Sequence, residues 1–219
     1  MSTFIKSIYS LVFIAVWNSS AVADTGRAHP VINTDKQFEL SRADGSTVKF
    51  EDFEGRLSLV YFGYTNCLMQ SPPTWVNFER VHALLGADAN DVQLTFISLD
   101  PKRDTVEQLA RWQQDWPHIQ GLTGTAGQID AAADAFGIFY ARRPDHAMRS
   151  AMPMMTRIKK QYGSDKRIKW DANKGQDYHL MDHTTHAFLL DENRNYVTHF
   201  ELEESPDLIS SYIKKYLNR

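Results

Sequence analysis

One cysteine stands in this chain of 219 residues, and its surroundings suit chemistry. The run Leu59-Val60-Tyr61-Phe62-Gly63-Tyr64-Thr65-Asn66-Cys67-Leu68-Met69-Gln70-Ser71-Pro72-Pro73 reads as a strand, a Gly-Tyr-Thr loop and the start of a helix. A soft sulfur at such a junction is where α/β scaffolds place metal or redox chemistry. A helix N-terminus close by lowers the pKa of a thiol. The competing reading is a small buried hydrophobe, since free cysteine is commonly inert core. Met69 is a thioether suited to a soft monovalent ion, or a core filler. Ser71 before Pro72 reads as a helix N-cap with proline at the first helical position. With no second cysteine, no intramolecular disulfide can form.

The elements that hold this loop are legible around it. Phe38–Leu40 and Val48–Phe50 alternate apolar with polar about Asp44-Gly45, a β-hairpin signal. Leu57 to Phe62 is almost continuously apolar, as in a strand buried on both faces. Trp75, Phe78, Val81 and Leu85 recur at helical spacing before Gly86. Val92–Leu99 reads as the next strand. Asp104-Thr105-Val106-Glu107 and Thr125-Ala126-Gly127-Gln128 each have the form of a capping box opening a helix. Gly137–Tyr140 reads as a short strand, His186–Asp191 and Tyr196–Phe200 as a second hairpin, and Ser205-Pro206 as the start of the last helix. Strand–helix–strand followed by hairpin–helix is the thioredoxin-like layout, an α/β fold, here with an added N-terminal β-hairpin.

Composition bounds the function classes. A net charge of −3 gives no case for nucleic-acid binding. Residues 1–23 read as a signal peptide: Lys6, an apolar run from Ile8 to Trp17, and Ala21-Val22-Ala23 as the cleavage site. The run is shorter than the roughly 20 residues of a membrane span. The expectation is therefore a leader over 24–35, then one domain over 36–219, periplasmic or otherwise exported, soluble and without a stable span. From about 141 to 178 an insertion departs in character, with ten Lys and Arg against four Asp, plus Met148, Met152, Met154 and Met155. Those methionines admit three readings: packing, a partner-docking surface, or a second soft-metal site. Pro153 is expected to interrupt a helix there. Asp100, Arg103 and Asp104 are expected to be structural, Asp104 as a cap and Arg103 paired with Asp100.

Four ordered segments resemble one family. They are Tyr61-Phe62-Gly63-Tyr64-Thr65-Asn66-Cys67 with Ser71-Pro72, then Phe96-Ile97-Ser98-Leu99-Asp100-Pro101-Lys102-Arg103-Asp104, then Gly121-Leu122-Thr123-Gly124-Thr125, then Met181-Asp182-His183-Thr184. They are similar to the SCO/SenC family of copper-binding thioredoxin-like proteins. The resemblance implies a metallochaperone of cytochrome oxidase assembly, with copper, here Cu(I), held by Cys67 and His183. The family's second cysteine is replaced by Ser71, a hard oxygen donor. The resemblance leaves a third ligand open among Met69, Ser71, Met181 and the insertion, with Asp182 as a partner orienting the His183 ring. A copper-receiving or copper-donating protein, such as a cytochrome oxidase subunit, is the implied partner. Two other classes stay open: a one-cysteine thiol peroxidase or mixed-disulfide reductase, and a metal-free binding protein with a decayed site. Against the enzyme stand the missing resolving cysteine and the lack of a proline before the His186 strand.

Overall fold

In the computed structural model the described residues are 32–218, apart from 34, 68, 144–147, 169–178 and 202–203, with the side chains of 148–152 also left aside. The residues read as a signal peptide, and most of the leader, lie outside them. Among the described residues no helix is long and apolar enough to cross a membrane.

A seven-stranded sheet carries the core. Its strands are β1 (Glu39–Arg42), β2 (Thr47–Lys49), β3 (Leu57–Gly63), β4 (Val92–Ser98), β5 (Ile119–Thr123), β8 (Ala187–Leu190) and β9 (Tyr196–Phe200), in the spatial order β2-β1-β5-β4-β3-β8-β9. Strands β3, β4 and β5 run parallel, while β8 lies antiparallel to β3 and β1 antiparallel to β5. All seven residues of β3 are buried. Strand alternation sends Leu57, Leu59 and Tyr61 to one face and Val60 and Phe62 to the other. The first face meets α1 (Ser71–Leu85), α2 (Val106–Asp115) and α5 (Pro206–Leu217) through Trp75, Phe78, Trp112, Ile209 and Ile213. The second meets α3 (Ala126–Ala135) and the aromatic group Phe38, Phe50 and Phe53. A mixed sheet covered on both faces, with hairpin and helix closing the chain, is the thioredoxin-like arrangement expected.

Several local expectations need correcting. Strand β5 lies next to β4 in the sheet, yet its five residues include Gln120 and Gly121, which break the apolar run that would announce it. Gly121 is there because Trp112 packs over it, 3.0 Å from where a Cβ would sit. The strand expected over Gly137–Tyr140 is instead β6 (Tyr140–Arg142), paired with β7 (Met181–His183) in a separate two-stranded sheet. Pro153 does not interrupt its helix: α4 (Met148–Tyr162) runs through it. Thr105, not Asp104, caps α2, accepting from the Gln108 N–H. Ser71 is likewise no cap; it is the first residue of α1, with Gln70 preceding it as N-cap. The capping box at Thr125 and the Ser205 cap of α5 are present as expected.

Candidate metal centre

Strand β3 delivers the cysteine loop, and a tight turn closes it, with the Cys67 N–H donating to the Tyr64 carbonyl at 3.1 Å. The thiol is buried, at 1% exposure, and the Gln70 N–H points at its sulfur at 3.3 Å. Burial pushes the thiol pKa up. The facing His183 imidazole, followed by the backbone amides of Ser71 and Gln70, outweighs that and brings it down to about 7. Cys67 is thus poised to become a thiolate against His183.

His183 comes from β7, more than a hundred residues along the chain. Its Nδ1 lies 2.8 Å from the Thr184 carbonyl, which fixes the tautomer with the proton on Nδ1. Its Nε2 is buried and has no hydrogen-bond partner. Addressed only by the facing Cys67 thiol, that buried imine lone pair suits a metal ion. Tyr61 and Tyr64 meet the ring edge-on, with centroids 6.2 and 5.9 Å away. Asp182 does not orient this ring: it is exposed and pairs with Arg143. The Thr184 carbonyl takes that role because, in a three-residue strand, Asp182 and His183 point to opposite sides.

Thioethers gather around the thiol. Met69 is buried in one apolar cluster with Cys67, Tyr64, Ile158 and Leu180, and Met154, Met155, Tyr162 and Met181 pack against it. Two methionines of the insertion therefore belong to the wall of the cysteine site, on α4. Met148 and Met152 have side chains outside the described residues. Tyr162 and Ile158 seal the same wall, and beyond α4 Arg167 stacks on Trp116 at 4.2 Å and pairs with Asp165. The exposed side of α4 carries Arg157, Lys159 and Lys160. The buried Ser71 Oγ accepts weakly from the Tyr64 N–H at 3.4 Å and sits under Gly63. A Cβ on Gly63 would lie 2.6 Å from that oxygen and 2.8 Å from the Tyr61 ring. Gly63→Ala is accordingly expected to cost about 2 kcal/mol by overpacking, read as a lowered midpoint in denaturant titration; an unchanged midpoint would show that the loop yields freely.

Beneath the loop lies a buried carboxylate that local pattern reading assigned to a cap. Asp104 accepts from the Thr65 N–H at 2.8 Å, and from the hydroxyls of Thr65 and Ser98. Its own carbonyl accepts from Thr123 Oγ1 at 2.6 Å. It thereby joins the cysteine loop to the ends of β4 and β5. Burial raises its pKa to about 6, against those hydrogen bonds. Asp100 pairs with Arg103 as expected, and His179, also buried, lies 3.8 Å from the same carboxylate. His186 belongs to the β8–β9 hairpin.

Comparison with known proteins gives the family. The SCO1/SenC family model matches residues 27–157 and 154–218. The chain belongs to the SCO1/SenC family. An SCO2-like protein of Rickettsia felis is 31% identical over 178 residues, 81% of this chain and 74% of that one. Among solved structures, Arabidopsis thaliana ScoI with copper bound superposes with a TM-score of 0.66 at 23% identity, covering 86% of this chain and 99% of the other. Yeast Sco1 with copper bound gives 0.64 at 22%, covering 83% and 87%. At such identities the SCO1/SenC structures speak for the thioredoxin-like fold alone.

Proposed function

We propose that this protein is an exported copper carrier that holds Cu(I) through Cys67 Sγ and His183 Nε2. The single observation that carries this reading is the buried, unpartnered His183 Nε2 facing a thiol whose pKa is brought down to about 7. One thiolate and one imidazole form a low-coordinate set suited to Cu(I). Met69, Met154, Met155 and Met181 are the soft donors within the same cluster from which a third ligand would come, and Ser71 is not among them. The copper-bound relatives in the family support the choice of metal. Ligand exchange with a copper-receiving or copper-donating protein, such as a cytochrome oxidase subunit, would complete the transfer, with the basic side of α4 beside the site as docking face. The apolar run and A-x-A site of residues 1–23 support export.

Anaerobic titration of the purified full chain with Cu(I) against a chromophoric chelator tests the reading. One equivalent is expected to be retained, and His183→Ala is expected to lower affinity about a hundredfold, about 2.7 kcal/mol. Failure to retain copper in competition with the chelator would leave the decayed-site reading in its place. Thiol-dependent peroxide turnover with a sulfenic acid at Cys67 would instead favour the one-cysteine peroxidase.

A further inference from the structure

We infer that the β8–β9 hairpin carries a second metal site, for a borderline divalent ion, built from His186, His199 and Glu201. It is separate from the cysteine site and does not depend on the copper-carrier reading. The register places Ala187 opposite Phe200 and Phe188 opposite His199, so His186, one residue before β8, falls opposite Glu201. Residues 199 and 201 share one face of their strand by period-two alternation, and His199 lies diagonal to His186. The sheet geometry thus brings all three side chains together. One ring nitrogen of each histidine and one Glu201 carboxylate oxygen lie within 4.8 Å of one another.

Two details separate this group from a chance surface cluster. His186 Nε2 is 3.3 Å from Glu201 Oε1, already the spacing of roughly 3.3 Å that four-coordinate bonds of about 2.0 Å impose between donors. His199 Nδ1 is held at 2.6 Å by the Tyr196 hydroxyl, the outer hydrogen bond that fixes a ring for ligation through Nε2. The two imidazole centroids are 4.7 Å apart and inclined at 44°, so the rings are not stacked as a bare aromatic pair. Two imidazoles and a carboxylate, with an open side toward solvent at the exposed Glu201, are the donor set of Zn(II) and Cu(II) sites rather than of Cu(I). By the same ordering Cu(II) binds more tightly than Zn(II). Glu201 lines the same open groove as Met69, and the two sites share no ligand. The other paired histidines, His82 and His118, stack at 3.9 Å with Glu79 on one side only and provide an internal control.

The test uses the full chain carrying Cys67→Ala, so that the soft site is removed, titrated separately with copper(II) chloride and zinc sulfate. One equivalent of Cu(II) is expected, with superhyperfine coupling from two imidazole nitrogens in its paramagnetic resonance spectrum, and weaker Zn(II) binding that the same variants diminish. His199→Gln should lower Cu(II) affinity at least tenfold and reduce the coupling to one nitrogen, and Tyr196→Phe should lower affinity about tenfold. Glu201→Gln alters an exposed side chain, so it keeps the test meaningful should a histidine variant misfold; it too should weaken binding. No bound Cu(II), binding unchanged in both His199→Gln and Glu201→Gln, or loss on His118→Gln instead would overturn the site.

Discussion

Replacing Cys67 by alanine is expected to reduce Cu(I) affinity by about three orders of magnitude, about 4 kcal/mol, measured by chelator competition. The size follows from charge. Cys67 is the side chain of the cluster that meets the ion as an anion near neutral pH, since its pKa is brought down to about 7 with His183 beside it. Removing it leaves a neutral imidazole and thioethers. The reciprocal change, Ser71→Cys, places a second sulfur at the start of α1, four residues after the first, and should raise affinity and permit retention of Cu(II). A Cys67→Ala protein that retains copper as tightly as wild type would sink the assignment. Copper affinity that appears only in Ser71→Cys would identify a site this chain has given up.

The second large effect lies at Asp104. Asp104→Ala leaves the Thr65 N–H and two hydroxyls without their acceptor in a fully buried setting, and should cost about 3 kcal/mol or more. Because the same carboxylate holds Thr65, two residues before Cys67, Cu(I) binding should weaken with it. The pH dependence has a definite sign. The folded pKa of about 6 lies above the ordinary value of 3.8, so the folded protein takes up this proton more readily than the unfolded chain. The stabilisation from protonation is fully present below about pH 4 and is lost as pH rises through about 6. Urea midpoints across pH 4–7 should therefore carry a downward contribution in the wild type that Asp104→Asn lacks. Parallel profiles for the two proteins would show that Asp104 does not titrate in this window.

The parts of this fold that were legible were those whose signals are local. Turn residues at Asp44-Gly45, the unbroken apolar run of β3 and the Thr125 and Ser205 caps each specify their own geometry. The cysteine loop was legible for the same reason, and His183 only because its segment resembled a family pattern. What escaped depended on distant partners. Strand β5 hides because its Gly121 answers to Trp112 from α2 rather than to its own neighbours. Asp104 carries the local signature of a cap, but a carboxylate that can cap a helix can also accept from Thr65 and Ser98 when β4 ends beside it. Asp182 beside His183 looked like a ring-orienting pair, yet adjacent strand residues diverge. The methionines of α4 could not be placed from sequence at all, since a thioether fills a core and faces a metal with equal ease. Pro153 is tolerated because a proline penalty of about 3 kcal/mol can be outweighed by tertiary packing; after Pro153, α4 is held by Met154, Met155, Ile158 and Tyr162.

The short β6–β7 ladder has a consequence for how this molecule could change. Tyr140 pairs with His183 and Arg142 with Met181, so the two strands that bracket α4 in sequence lie side by side. The ladder works as the stem of a long hairpin, and the cost of closing such a loop grows only slowly with its length. The segment between the two sides of the stem is not free to vary throughout, because Ile158 and Tyr162 of α4 pack back onto the cysteine cluster and Ile168 onto the main core. One helix thereby turns its thioethers to the thiol and its cations, Arg157, Lys159 and Lys160, to solvent, so a partner that grips the outer side pulls on the wall of the ion's pocket.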